Sequence, residues 1–319
     1  MRTLPRPAVI TGLIVGVVAI SISAILSRFA MGEDPEILTA TAGAAPALAV
    51  AFWRCALGAI VLAPTGWRAQ ARHGTPLTHR RHRQLAASGL ALGLHFGLFQ
   101  GALALTTVAS AVTLATMSPI FVALGGWWFL KESSDRRTWI GMGVTIAGAV
   151  TIGIADLSAL DLGLRALIGD VMAFGSALAV TAYLLIGRVA RRNTPATTYS
   201  AIVFGWAALG LLAVALLTGT TLVGFDGGTW LAIIGIVVGP QLLGHTVFNA
   251  LLSTIPATTV SIVVLSEPVG AGILAWLLLN ELPSSLFAVG APLVLVGVAI
   301  ATARRRPPVP VEELAVPET

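Results

Sequence analysis

Apolar residues run along this chain in long blocks divided by short polar or basic gaps. A helix that crosses a bilayer needs about 20 mostly apolar residues. Residues 84–130 contain no Asp, Glu, Lys or Arg, and a break at Thr106-Thr107-Val108-Ala109-Ser110 divides them into two such spans. Residues 193–266 contain one charge, Asp226, and hold two spans plus the start of a third. The pattern predicts ten membrane helices, at 8–30, 45–64, 85–105, 110–130, 138–155, 168–187, 197–218, 229–251, 258–279 and 284–303. The first run does not read as a cleaved signal peptide: it lacks a small-x-small cleavage pattern with a soluble domain behind it, and more spans follow.

Composition agrees. Of 319 residues, 56 % are hydrophobic and 10 % are charged, against about 25 % charged in soluble proteins. That excludes a disordered chain and a nucleic-acid-binding domain. The single cysteine, Cys55, excludes a disulfide scaffold. Basic residues fix the orientation. With the N-terminus inside, the inner segments carry Arg2 and Arg6; Arg68, Arg72, Arg80, Arg81 and Arg83; Lys131, Arg136 and Arg137; Arg188, Arg191 and Arg192; and Arg304 to Arg306. Of the remaining basic residues, Arg28 and Arg165 fall outside and Arg54 lies within a span, while the outer loops are acidic, with Glu33, Asp34, Glu36, Asp156, Asp161, Asp226 and Glu281. This positive-inside split predicts a plasma (inner) membrane protein with both termini cytoplasmic, which requires an even number of spans. The Pro-rich end, 307–319, reads as a disordered cytoplasmic tail.

The chain also resembles itself. At an offset of 149, Pro119 matches Pro268, Trp127 matches Trp276, Glu132 matches Glu281, Gly141 matches Gly290 and Gly148 matches Gly297. Phe99-Gln100 matches Phe248-Asn249, and near offset 152 Ala56-Leu57-Gly58 matches Ala208-Leu209-Gly210. Five spans per copy is an odd number, so the copies, 1–156 and 157–306, would face opposite ways, as in the inverted repeats of many secondary transporters.

Several segments resemble the EamA family of the drug/metabolite transporter superfamily. They are Phe52-Trp53-Arg54, Met117-Ser118-Pro119 leading to Trp128-Phe129-Leu130-Lys131-Glu132, Gly169-Asp170 with Tyr183 and Arg188, and Ser266-Glu267-Pro268 running to Ala275-Trp276 and Asn280-Glu281. The resemblance covers about 8–303. It implies an all-α membrane protein of two inverted five-helix halves. Helices 1–4 and 6–9 would surround a central cavity, with 5 and 10 peripheral. It also implies export of small metabolites, often amino acids or related compounds. One departure is visible: the family motif ends in Gly-Glu, where this chain has Lys131-Glu132 and Asn280-Glu281.

Polar residues at depth are the candidate site, because an ionisable group at mid-bilayer costs about 2.5–3.5 kcal/mol on insertion scales. Arg54 and Glu267 fall near the centres of their spans. They read either as a structural ion pair or as a proton or substrate-amine site with its counter-charge. Gln241, His245 and Asn249 form an i, i+4, i+8 stripe that faces protein or a water-filled cavity, with Gln241 nearest the midplane as the preferred substrate contact. His95 reads as a hydrogen-bonding group or a proton carrier. Trp53, Tyr183 and Trp206 could line a cavity or pack a core. The equivalent prolines, Pro119 and Pro268, predict kinks that serve as hinges. Gly89, Gly93, Gly97 and Gly101 form a small-residue stripe for helix packing. The seven-residue spacing of Gly141 and Gly148, and of Gly290 and Gly297, suits peripheral helices at a homodimer contact. The histidines of 73–82 read as part of a headgroup-contacting loop rather than a metal site.

No Walker A motif, Gly-x-Ser-x-Gly or His-Glu-x-x-His is present, so neither ATP-driven transport nor an intramembrane enzyme is indicated. The expectation is a secondary transporter without cofactor or metal, working by alternating access. Its partners would be a small-molecule substrate and membrane lipid. Amino-acid export is the first reading and proton-coupled multidrug efflux the alternative.

Overall fold

The computed structural model describes residues 4–32, 38–39, 43–73, 76–106, 111, 114–115, 117–154, 163–279 and 285–303. The acidic loop residues other than Asp226, the arginines at 304–306 and the tail 307–319 lie outside the described residues. Regular structure among the described residues is helical throughout. Helices α1 (Arg6–Ser21) and α2 (Ser23–Met31) make one apolar rod. They are followed by α3 (Ala47–His73), α4 (His79–Leu105) and α5 (Ser118–Gly125), which continues as a wider π-turn over Gly126–Leu130. Then come α6 (Arg136–Ile154), α7 (Leu164–Ala190), α8 (Ala196–Thr218) and α9 (Gly227–Ile236). A π-helical stretch, Val237–His245, leads into α10 (Thr246–Leu251), and α11 (Ala257–Val264), α12 (Glu267–Leu279) and α13 (Ser285–Thr302) complete the order.

Among the described residues, eight helical stretches are long and apolar enough to cross a membrane, and Ser118–Leu130 is a shorter apolar helix. The protein is a multi-pass membrane protein. Contacts at the helix ends sort the gaps onto two sides. On one side, Arg81 donates to the Asn193 carbonyl at 3.0 Å, Thr198 to the Gly66 carbonyl at 2.8 Å, and the backbone N–H of Leu4 to Thr254 Oγ1 at 3.4 Å. The predicted inner arginines of 68–83 and 188–192 therefore share an end of the bundle. At the opposite end, the Asp226 N–H donates to the Gly43 carbonyl at 2.9 Å, and Thr106 Oγ1 donates to Asp170 at 3.0 Å.

The small-residue stripe of α4 packs against α8. A Cβ at Gly89 would stand 2.6 Å from the Val203 carbonyl oxygen, and one at Gly93 would stand 2.9 Å from that of Ala207. Only glycine lets the backbones approach this closely. The glycines of α6 and α13 correct an expectation. A Cβ at Gly141 would lie 2.6 Å from the Gly297 carbonyl oxygen, and one at Gly148 would lie 2.7 Å from that of Gly290. These positions close α6 against α13 inside one chain, so they are not available to a second copy.

The prolines also sit differently from the kinks predicted. Pro119 and Pro268 are each the second residue of a helix, α5 and α12. In the first turn the missing N–H has no intrahelical partner to lose. Neither proline bends a continuous helix. Pro268 opens the second piece of an interrupted one, with Leu265 and Ser266 forming a turn between α11 and α12, and Pro119 follows Met117, a turn residue before α5.

Candidate functional site

A cavity of about 120 Å³ lies inside the bundle, with both predicted midplane charges, Arg54 and Glu267, on its wall. Helices α6 and α13 supply no lining residue, and neither does α8, which the ten-helix reading places around the centre. Helix α8 instead backs α3 and α4. A larger cleft, about 610 Å³, is bordered by Trp67, Gln70, Leu77 and Thr198 and has no ionisable side chain on its wall among the described residues. The smaller cavity holds the chemistry.

Arg54 is 2 % exposed. Its Nε–H donates to Gln241 Oε1 at 3.0 Å, and its guanidinium carbon lies 3.8 Å from the centre of the Phe96 ring. A desolvated cation over an aromatic face gains about 2 kcal/mol, which offsets part of the cost of burial. The approach of Gln241 depends on Gly58, one turn beyond Arg54, where a Cβ would stand 3.0 Å from Gln241 Cγ. Pro240, which has no N–H to donate, lies within the π-helical stretch, and the Thr246 N–H reaches back five residues to the Gln241 carbonyl.

That wider turn splits the predicted polar stripe. His245 lines the cavity and meets the Phe96 ring edge-on, with centres 5.0 Å apart. Gln241 and Asn249 are fully buried and do not line it. Gln241 therefore holds Arg54 rather than offering a direct substrate contact. Asn249 accepts the Tyr183 hydroxyl and donates to Ser200 Oγ at 3.1 Å. Tyr183 is on the cavity wall. Trp53 and Trp206 are not: Trp53 Nε1–H donates to the Leu222 carbonyl at 2.6 Å, and Trp206 stands beside His82 with ring centres 5.9 Å apart. Both serve packing.

Glu267 is the first residue of α12, and Pro268 beside it also lines the cavity, whereas Pro119 does not. Arg54 and Glu267 share the wall without forming an ion pair within 4.0 Å. The structural-pair alternative is thus not the arrangement seen. His95 shares its Nδ1 with Ser176, at 2.8 Å to Oγ and 3.1 Å to the carbonyl oxygen. Ser23, Ser118 and Ser261, together with Phe96, Phe99 and Phe248, complete the polar and aromatic surface. Isolated serines carry no sequence signal that separates cavity from packing.

A second polar cluster occupies the arginine-rich end. The π-turn after α5 ends at Lys131, whose φ of 58° is left-handed, and this presents Glu132 to α7. Glu132 Oε1 accepts from Arg188 Nε at 3.0 Å and Arg192 Nη2 at 3.4 Å. Arg188 Nη1 also donates to the Leu252 carbonyl at 2.7 Å. Arg191 is 1 % exposed and donates to the carbonyls of Asn249 at 2.7 Å and Ala250 at 3.4 Å. It also donates to the carbonyl of Thr194. Burial lowers Arg191 to about 10, so it stays charged at neutral pH. The sequence marks Arg191 only as a topology signal. Its position one residue past a span, beside the end of another helix, is what distinguishes it.

The chain belongs to the EamA-like transporter family, which it matches over residues 7–154 and again over 167–303. The pseudopaline exporter CntI of Pseudomonas aeruginosa is 26 % identical over 275 residues, 86 % of this chain and 92 % of that one. A transporter of Archaeoglobus fulgidus is 27 % identical over 69 % of this chain and 75 % of its own length. ArnE of Klebsiella pneumoniae, a probable 4-amino-4-deoxy-L-arabinose-phosphoundecaprenol flippase subunit, is 28 % identical over 33 % of this chain and 97 % of its own. A crystal structure aligns with a TM-score of 0.75 at 19 % identity, covering 93 % of this chain and 97 % of that one, so the two share a fold. The protein is a membrane transporter and not an enzyme.

Proposed function

We propose that this transporter exports small metabolites, amino acids or related compounds, by alternating access across the plasma membrane with both termini cytoplasmic. The observation that carries the reading is the cavity shared by Arg54 and Glu267 without an ion pair between them. A zwitterion needs a cation for its carboxylate and an anion for its ammonium, and these two side chains supply both. Arg54 is the stronger anchor, because a guanidinium binds a carboxylate through two parallel N–H donors. Ser118 and Ser261 supply neutral hydrogen-bonding groups. The role of CntI, export of pseudopaline, supports an outward direction.

The architecture proposed with it is two inverted five-helix halves, 1–156 and 157–306, supported by the two separate family matches and by the equivalent placing of Pro119 and Pro268. Proton-coupled multidrug efflux is the second reading, favoured by the aromatic wall of Phe96, Phe99, Tyr183 and Phe248. Counterflow in proteoliposomes separates them. Protein loaded with pooled unlabelled amino acids is offered labelled ones at two pH values, beside Glu267→Gln. Accumulation that the variant loses supports amino-acid export through Glu267. Normal transport by the variant returns Glu267 to a structural role. No accumulation by folded protein, together with uptake of cationic dyes, moves the assignment to efflux.

A further inference from the structure

Between the cavity and the arginine-rich end stands a plug of buried side chains. Tyr199, Leu251, Leu252, Ala257 and Val260 are each at most 1 % exposed. Gly187 on α7 is pressed into this layer, where a Cβ would lie 2.5 Å from Tyr199 Oη and 3.1 Å from Leu252 Cδ1. Packing this tight leaves no path for a solute among these residues. Below the plug, four charged side chains tie three helix ends together. Glu132, after α5, binds Arg188 and Arg192, which lie at the end of α7 and just beyond it. Arg188 and Arg191 in turn hold carbonyls of Asn249, Ala250 and Leu252, where α10 ends. Cations at a helix C-terminus satisfy carbonyls that have no intrahelical donor and complement the helix dipole.

The cavity wall is built into the same grip. Tyr183 donates its hydroxyl to the side chain of Asn249, and Arg191 binds the carbonyl of that same Asn249. A group that displaces Tyr183 on entering the cavity therefore pulls on the residue Arg191 holds. We propose that Glu132, Arg188, Arg191 and Arg192 form the gate on the arginine-rich face, closed in this structure, with Tyr183–Asn249 coupling it to the occupied cavity. The four gate residues are positioning residues that act on access and touch no substrate. The proposal rests on the alternating-access reading, in which one face must be shut while the other is open. An ion pair suits the task, because exchanging it for water on opening changes the free energy little at a partly exposed site.

The test reads access directly, and its Glu132 and Arg192 arms need no substrate. Ser261 on the cavity wall is replaced by cysteine in a Cys55→Ala background, and a membrane-impermeant maleimide is applied from each side of oriented vesicles. Glu132→Gln is expected to raise labelling from the arginine-rich side at least fivefold and to lower it from the other. Arg192→Gln, at a half-exposed residue that folding tolerates better, is expected to shift labelling the same way by a smaller factor. Tyr183→Phe should uncouple the two, so that substrate pools no longer change the labelling rate. Unchanged side preference in folded Glu132→Gln and Arg192→Gln overturns the gate. If labelling shifts as expected while amino-acid counterflow by the protein with Ser261 intact fails, the gate stands and the substrate assignment falls.

Discussion

Arg54 and Gln241, 187 positions apart in the chain, meet at 3.0 Å beside the cavity, and the bond uses the Nε–H of the guanidinium. That leaves the two terminal nitrogens, which can hold a carboxylate end-on through parallel N–H donors, to another acceptor. Gln241 is thus the residue that orients the anchor. Gln241→Leu is expected to weaken substrate binding by on the order of tenfold or more, the equivalent of one charged hydrogen bond at about 1.5–3 kcal/mol. Radiolabel binding to purified protein checks it. An unchanged affinity would show that Phe96 alone positions the guanidinium.

The seam between α6 and α13 admits no added carbon. Gly148→Val puts side-chain atoms against the backbone of Gly290 and Val294, and overpacking of this kind costs about 1–3 kcal/mol. The melting temperature in detergent should fall. Gly143, on the same helix, has open space where a Cβ would stand, with no neighbour within 4 Å among the described residues. Gly143→Ala should leave melting unchanged or raise it, since alanine is the better helix former by about 0.5–1 kcal/mol. Equal effects of the two would rule out the seam as the cause.

Lys131 adopts φ 58°, a conformation that suits glycine, at the place where the family resemblance expects Gly-Glu. A left-handed residue with a side chain costs roughly 1–2 kcal/mol. Lys131→Gly should therefore raise stability slightly and keep Glu132 facing Arg188. Differential scanning fluorimetry reads the first, and retention of transport reads the second. A loss of stability would mean that the lysine side chain makes a compensating contact.

Asp226 caps α9 by accepting the Thr229 N–H at 2.7 Å, and this hydrogen bonding lowers its pKa below the ordinary aspartate value. A depressed carboxylate stabilises the fold at pH values above about 3.9, the unfolded value, and loses the contribution as pH falls through the folded one. The melting difference between the wild type and Asp226→Ala should be constant from about pH 5 to 8 and shrink at lower pH. A gap of the same size at pH 3 would point to packing around Gly43 instead.

Helix positions were legible because burial in lipid demands long apolar runs, and those runs survive any detail of packing. Arg54, His95, His245 and Glu267 are marked as candidates for the same reason, since a polar group at depth must face something polar, and Tyr183 as an aromatic that lines a cavity or packs a core; all five line the cavity. What the sequence hid depended on local geometry or on pairing across the fold. The i, i+4, i+8 reading of Gln241, His245 and Asn249 assumes 3.6 residues per turn, and the π-helical stretch around Pro240 breaks that period. Pro119 and Pro268 are visible as equivalents, and Ser118 and Ser266-Glu267 beside them are residues that open helices, but the long apolar runs around them read as continuous spans. The glycines at 141 and 148 can be seen to form a packing surface. That their partners are Gly297 and Gly290 of the same chain required the fold.

That seam joins α6 to α13 largely through main-chain atoms, with the same residue at the same seven-residue spacing on both sides. Such a surface recognises its counterpart by shape without depending on the covalent link between them. Two polypeptides, one ending after 154 and the other beginning before 163, should therefore find each other in the membrane and assemble along it.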